Sequence, residues 1–299
     1  MTKRTTIIKN ITTKLSKGGG QILQGLLITR TGLALVLLLV SATGSAQWFD
    51  YPTPGIPRNP DGSADLDAPT PRATNGVPDL SGIWVAADLL KDECPDETVC
   101  ITQMELPADQ VNIARSLPES LPYQPWAAEL VAERSARQAM DDPHARCLPP
   151  NFPRAYYFPQ YYKIVQTPEL IVILHEFNAS YRQIFLDGRP LPEEPFPYWS
   201  GYSVGHWEGD TLVVNSLGYR DDLWLDMSGN PITEAARITE RITRDDFGSL
   251  AIELTIDDPK AYTEPWTVMI RSDAVVDTEL IEEICLENEQ DVELFDSVE

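Results

Sequence analysis

The chain has 299 residues, 42% of them hydrophobic, which is enough for a sizeable core, and its 46 acidic against 23 basic residues give a formal net charge of −23. A surface of that sign repels nucleic acid and anionic membranes, so neither is an expected partner. Solubility is the simpler consequence of such a charge, ahead of recruitment of a cationic partner.

The first 46 residues carry Lys3, Arg4, Lys9, Lys14, Lys17 and Arg30 and no acidic group. An apolar run, LALVLLLV at 33–40, and a small-residue stretch, SATGSA at 41–46, follow. A basic start, a short apolar middle and a small-residue end make a secretory signal peptide, with cleavage expected before Gln47. The alternative is an uncleaved anchor, although eight apolar residues are fewer than the roughly 20 that span a bilayer. Removal of the leader takes six positive and no negative charges, moving the net charge from −23 to −29. The expected location is the periplasm or the medium, with no membrane association after cleavage.

Residues 47–78 are rich in Pro, Gly, Asp and Asn and read as a disordered lead-in. A single domain over 79–299 follows. Its first strand is expected at 81–87 and a helical insertion at about 107–140, strongest over 126–140, where apolar residues recur at helical spacing. Prolines in DDPHARCLPPNFPR then break the helix. Short runs of β-branched and aromatic residues predict strands at 161–167, 170–177, 180–186, 202–207, 211–216, 237–244, 250–257, 266–272 and 280–286, separated by turn residues. The fold class is therefore all-β: about ten strands in an antiparallel meander, closed as a barrel to remove its edges.

Four cysteines, Cys94, Cys100, Cys147 and Cys285, remain after the leader. An even count in an exported chain reads as disulfides, and Cys94–Cys100 with Cys147–Cys285 is the favoured pairing of three. No C-x-x-C pair is present, so no zinc site is expected.

Alternate side chains of a strand face opposite sides, so polar residues in phase with the apolar face are informative. In RITERITR, Glu240 is in phase with Ile238 and Ile242. In YSVGHW, His206 is in phase with Tyr202 and Val204; in YRQIFL, Arg182 shares a face with Ile184 and Leu186 against a competing set of Tyr181, Gln183 and Phe185. Ile252, Leu254 and Ile256 lead to Asp258, while in LIVILHE both faces are apolar and neither His175 nor Glu176 is assigned. A buried carboxylate and imidazole are costly unless paired. Either Glu240 forms a structural ion pair with Arg182 or Arg241, or His206, Glu240 and Arg182 form an acid–base site with Arg182 as anion stabiliser.

The long connection 217–231 places Tyr219, Asp221, Asp222, Trp224 and Asp226 at a barrel mouth. Its aspartates lack the alternation of a calcium loop, and His175-Glu176 lacks the second histidine of a zincin helix, so no metal or other cofactor is expected. GYSVG at 201–205 has the spacing of a nucleophile elbow, but Ser203 sits within an expected strand rather than a strand–turn–helix. The expected ligand contacts are Tyr202, Tyr219, Trp224, Asp222, Asp258 and Trp266.

Residues 79–84, DLSGIW, resemble the G-x-W signature of lipocalins and related calycin barrels. The resemblance implies a Trp84 packed across the closed barrel end, with a late arginine, Arg271, stacked on it. More broadly, PDLSGIW, CLPP, IFLDGR and GYSVGHWEGDTLVV are similar to a family of secreted bacterial proteins that brings no catalytic residues to carry over. The function expected is an exported calycin-like barrel that holds a small, largely apolar organic molecule. A secreted lyase, isomerase or hydrolase and a structural envelope-associated protein are the alternatives.

Overall fold

The computed structural model describes residues 52–87, 112–115 and 117–288. The leader, Gln47, Cys94, Cys100 and the beginning of the 107–140 region lie outside the described residues.

Nine strands close a barrel: β1 (Gly82–Ala86), β2 (Tyr162–Gln166), β3 (Leu170–His175), β4 (Ser180–Phe185), β5 (Tyr202–Glu208), β6 (Thr211–Leu217), β9 (Arg237–Arg244), β10 (Ser249–Asp257) and β11 (Trp266–Val275). Two short strands, β7 (Leu223–Trp224) and β8 (Pro231–Ile232), pair with each other outside the barrel wall. Around the wall every strand neighbours its successor, and β11 closes onto β1. All pairs are antiparallel except β4–β5, where Ile184 and Phe185 stand beside Ser203 and Val204 in parallel.

That pair corrects the expected all-antiparallel meander. A ring of alternating strand directions needs an even number of strands, so nine force one parallel neighbour. The tenth expected strand, 280–286, is instead irregular chain ending in one helical turn, α2 (Cys285–Asn288). The parallel step requires the chain to travel back along the barrel, which the proline-rich connection 186–201 does.

The expected helical region contains one helix among its described residues, α1 (Pro125–Ala136), with proline at its start. It ends earlier than expected, in turns at 137–141. Residues 52–78, the described part of the 47–78 segment expected as a disordered lead-in, hold defined turns and bridges, Arg58 to Ala64 and Arg72 to Pro78. They are tied to the barrel by the Arg58–Asp277 and Arg72–Asp210 ion pairs and by the Thr70 hydroxyl donating to the Arg244 carbonyl at 2.8 Å. Polar composition did not prevent ordering because these backbone groups find fixed partners.

The barrel has two unlike ends. At one, Trp84 is fully buried, its indole N–H donating to the Leu80 carbonyl at 3.1 Å. The arginine over its ring is Arg244 at 4.8 Å, whereas Arg271 is exposed on β11, which corrects the expected stacking partner. Arg244 also donates to the carbonyls of Asp79, Ser81, Asp246 and Phe247. The other end, where β6 stops and Tyr219 begins the next connection, is covered by α1, the turns at 143–157, the β7–β8 pair and the chain around Tyr262. A disulfide, Cys147–Cys285 with Cα atoms 5.4 Å apart, fastens the C-terminal turn beside this cover. The Cys94–Cys100 pairing lies outside the described residues. No helix among the described residues is long and apolar enough to cross a membrane.

Candidate functional site

The interior is lined by alternate residues of each strand: Ile171 and Ile173 on β3, Leu212 and Val214 on β6, Ile238 and Ile242 on β9, Leu250 to Ile256 on β10, and Val268 and Ile270 on β11. Into this apolar wall are set one guanidinium and one carboxylate. Arg182 on β4 and Glu240 on β9 form a two-pronged ion pair, one contact at 2.9 Å, with side chains only 2% and 1% exposed. The Arg182 Nε–H donates to the Ser203 hydroxyl at 3.1 Å, and the remaining guanidinium N–H groups reach the hydroxyls of Tyr156 at 2.8 Å and Ser216 at 2.9 Å. Burial disfavours the guanidinium's charge, but the Glu240 carboxylate holds its pKa above the ordinary arginine value. All five donors of Arg182 are engaged within the protein. Its position therefore meets the structural reading of the pair and offers no free donor to an anion.

His206 is not part of this group. Its side chain is 57% exposed and meets Glu208 at 3.3 Å, and Glu208 also pairs with Arg241. The phase of β5 is the reverse of the expected one: Ser203, Gly205 and Trp207 face inward and Tyr202, Val204 and His206 outward. The reason is steric. A side chain at Gly205 would stand 2.9 Å from Leu186 and 3.1 Å from Ile184, and Ser203 leaves room for the Arg182 guanidinium. Tyr202 lies outside, stacked on Phe185 at 5.3 Å, with its hydroxyl accepting from Arg189.

The inward histidine is His175, in phase with Ile171 and Ile173 at the end of β3. It is 1% exposed, and burial lowers its pKa to about 4, so the ring is neutral at physiological pH. His144, on the 143–146 turn, is likewise lowered to about 4, first by burial and then by the Arg154 charge, against Asp142. Arg154 and Asp142 make a second buried ion pair, at 2.5 and 2.7 Å. The rings of His144 and His175 lie 4.6 and 6.0 Å from that of Phe158, and Arg154 stands over the same ring at 5.3 Å.

Among the described residues, seven buried side-chain atoms have no hydrogen-bond partner: His144 Nδ1, Asn151 Oδ1, Arg154 Nε, Gln160 Oε1, His175 Nε2, Tyr219 Oη and Trp266 Nε1. Each belongs to the Tyr219 end of the barrel, its rim or its cover, and none to the Trp84 end. Folded proteins pair the great majority of such atoms, so their concentration at one end is the most distinctive chemical feature of the molecule. The Tyr219 ring is packed against Gly201, where an added Cβ would come within 2.8 Å of it. Burial raises the pKa of the Tyr219 phenol and keeps it a neutral O–H group, against the Arg182 charge and the Ser216 hydroxyl, which lies near it without a hydrogen bond of normal geometry.

The other expected ligand contacts are spread more widely. Trp266 and Tyr219 belong to the unpartnered set. Trp224 is buried in the cover beneath Arg134, which stands 4.3 Å from its ring. Asp258 is buried and accepts from the Thr233 amide and hydroxyl at 2.8 Å each, so it fixes the cover. Asp222 is exposed and paired with Arg220. Asp221 accepts from the Glu234 amide, and Asp226 from Ile113 and Asn230, each a local tie. No group of three or more His, Cys, Asp or Glu able to hold a metal is present among the described residues. Phase reasoning missed Tyr156, Ser203 and Ser216 as partners of Arg182, and missed His144, Arg154 and His175; the alternation Ile171, Ile173, His175 was the available signal for the last.

No family model, curated protein or solved structure matches the chain.

Proposed function

We propose that the protein is an exported β-barrel of calycin-like kind that binds a small, largely apolar organic molecule, taken up at the Tyr219 end. The observation that carries this reading is the gathering, among the described residues, of unpartnered buried polar atoms at that end, within walls made mostly of aliphatic and aromatic side chains. Such atoms are expensive to leave unmet, and a ligand with one hydrogen-bonding end would meet them. The basic, apolar and small-residue sections of 1–46 support export, as does the Cys147–Cys285 disulfide, which persists in oxidising compartments. Trp84 beneath Arg244 at the opposite end supports the calycin-like reading. An acid–base pair of His206 and Glu240 is not formed, and a saturated Arg182 argues for a carrier over a catalyst.

The test is native mass spectrometry of the chain after secretion from a bacterial host, with identification of released small molecules. A bound organic molecule, displaced or weakened in Tyr219→Phe, is the expected result. An empty protein that no member of a small-molecule library stabilises against heat would overturn the reading. The same spectra give the mature N-terminus, expected near Gln47.

A further inference from the structure

We infer that the polar end of the bound molecule is a carboxylate, received beside the Phe158 ring by His175, Arg154 and His144. The inference rests on the binding function proposed above and specifies its ligand.

The proton positions at this place follow from the hydrogen bonds. The Phe177 amide donates to His175 Nδ1 at 3.2 Å. Nδ1 is therefore an acceptor, and the neutral ring carries its proton on Nε2. That N–H is buried; the Ala155 carbonyl lies near enough to favour the charged ring, but no hydrogen bond of normal geometry forms. Arg154 uses its two terminal nitrogens on Asp142, which leaves the Nε–H buried and without an acceptor. His144 presents a buried, unpartnered Nδ1. Two fixed donors and a third nitrogen able to become one thus belong to three side chains packed near a single aromatic ring, Phe158, and the Phe177 ring lies 4.3 Å from that of His144.

A carboxylate suits this set better than a neutral carbonyl. It offers about four lone-pair directions to three nitrogens, where a carbonyl offers two. It also brings a charge that the site is built to answer by taking up a proton. Arg154 is already neutralised by Asp142, so the compensating charge has to come from an imidazole. The charged groups facing the two rings are Arg154 and Asp142 for His144, and His144 for His175. Glu176, next in sequence, is turned to the Tyr161 and Ile281 amides. An anion here therefore raises an imidazole pKa from about 4 toward or above its ordinary value and draws in a proton. Phe158 and Phe177 receive the apolar part next to the carboxylate. The amide of Gln160, with an unpartnered Oε1 in the same cover, can present either end to the ligand.

The experiment is isothermal titration calorimetry of the secreted protein with octanoate, benzoate and the neutral methyl octanoate, at about pH 5.5 and about pH 7.5. Binding of either acid, roughly tenfold tighter at the lower pH and with heats that change with buffer ionisation enthalpy as one proton is taken up, is the expected result. Preference for octanoate or for benzoate then identifies an aliphatic or an aromatic body. His144→Ala, at the partly exposed edge of the cluster, and His175→Phe should each weaken the acid at least tenfold. Equal affinity for octanoate and its methyl ester, affinity independent of pH, or full affinity in a folded His144→Ala overturns the inference. A non-acidic molecule found bound to the secreted protein overturns it too, while leaving the binding function standing; absence of any bound or stabilising molecule removes both.

Discussion

The Arg182 guanidinium and the Glu240 carboxylate meet head to head inside the barrel, joining β4 to β9 across the two strands between them. Both are buried beyond reach of water, so each is tolerable only while the other is present. Glu240→Leu strands a buried cation and is expected to destabilise the protein by about 3–5 kcal/mol. Arg182→Met combined with Glu240→Leu should return stability to within about 1 kcal/mol of the parent or above it, since an apolar pair replaces a buried ionic one. Urea unfolding of the two variants decides this; a mild single mutant would mean the pair is wet.

Arg244 should matter in a different way, through the Trp84 end. It satisfies four backbone carbonyls while standing over the rings of Trp84 and Phe247. Arg244→Ala is expected to cost about 2–4 kcal/mol, as charged hydrogen bonds and ring contacts are lost together. Arg244→Lys should recover little, because one ammonium cannot reproduce the planar fork. Arg271→Ala, on the exposed face of β11, should shift the melting point by less than 1 °C or so.

The Cys147–Cys285 bridge closes a loop of 138 residues in sequence separation. Loop-closure entropy puts its contribution at up to about 5 kcal/mol. Thiol titration in denaturant without reductant should leave both cysteines unreactive, and Cys147→Ala with Cys285→Ala should melt well below the parent. Because the bridge holds the C-terminal turn over the His175 region, the variant should also expose residues 281–288 to proteolysis first.

Stability should fall on mild acidification. An unfolded histidine takes up its proton near pH 6.5, whereas burial holds His175 and His144 to about 4 in the fold. Between those values the unfolded chain binds more protons, so each step down in pH favours it; above about 6.5 the two imidazoles contribute nothing. Their joint effect reaches several kcal/mol by about pH 4, on the order of 3 kcal/mol for His175. Denaturation midpoints of the parent and of His175→Phe, compared between about pH 7.5 and about pH 4.5, should diverge less in the variant.

Strand positions were legible because hydrophobic alternation and turn residues mark them: all nine barrel strands, β1 included, coincide with runs read from the sequence to within a few residues. Glu240 was legible because isoleucines flank it on an unambiguous strand. His206 was not, because β5 hides small residues, Ser203 and Gly205, on its inner face and shows Tyr202 and Val204 outside, where Phe185 and the 186–201 connection lie beside them. Side-chain size there is set by what the neighbouring strand inserts, and one strand read alone cannot show it. His175 was hidden for the opposite reason, a strand apolar on both faces. The 280–286 run was misread since its leucines and isoleucines sit on a segment that forms no strand and is held by a disulfide and by Glu176 and Asn178.

The single parallel neighbour pair gives the barrel a seam. Only two residue pairs, Ile184 with Ser203 and Phe185 with Val204, register across it, where every other junction of the wall holds three or more. Parallel pairing is also the slightly weaker kind. The wall should therefore unzip along β4–β5 before it parts anywhere else, and amide protons there should exchange soonest. Arg182 on β4 grips Ser203 on β5 from within, while Phe185 and Tyr202 stack across the same line from without. The buried guanidinium is then a rivet through the weakest joint of the cylinder, which gives a physical reason for a charge to be kept in an otherwise oily interior.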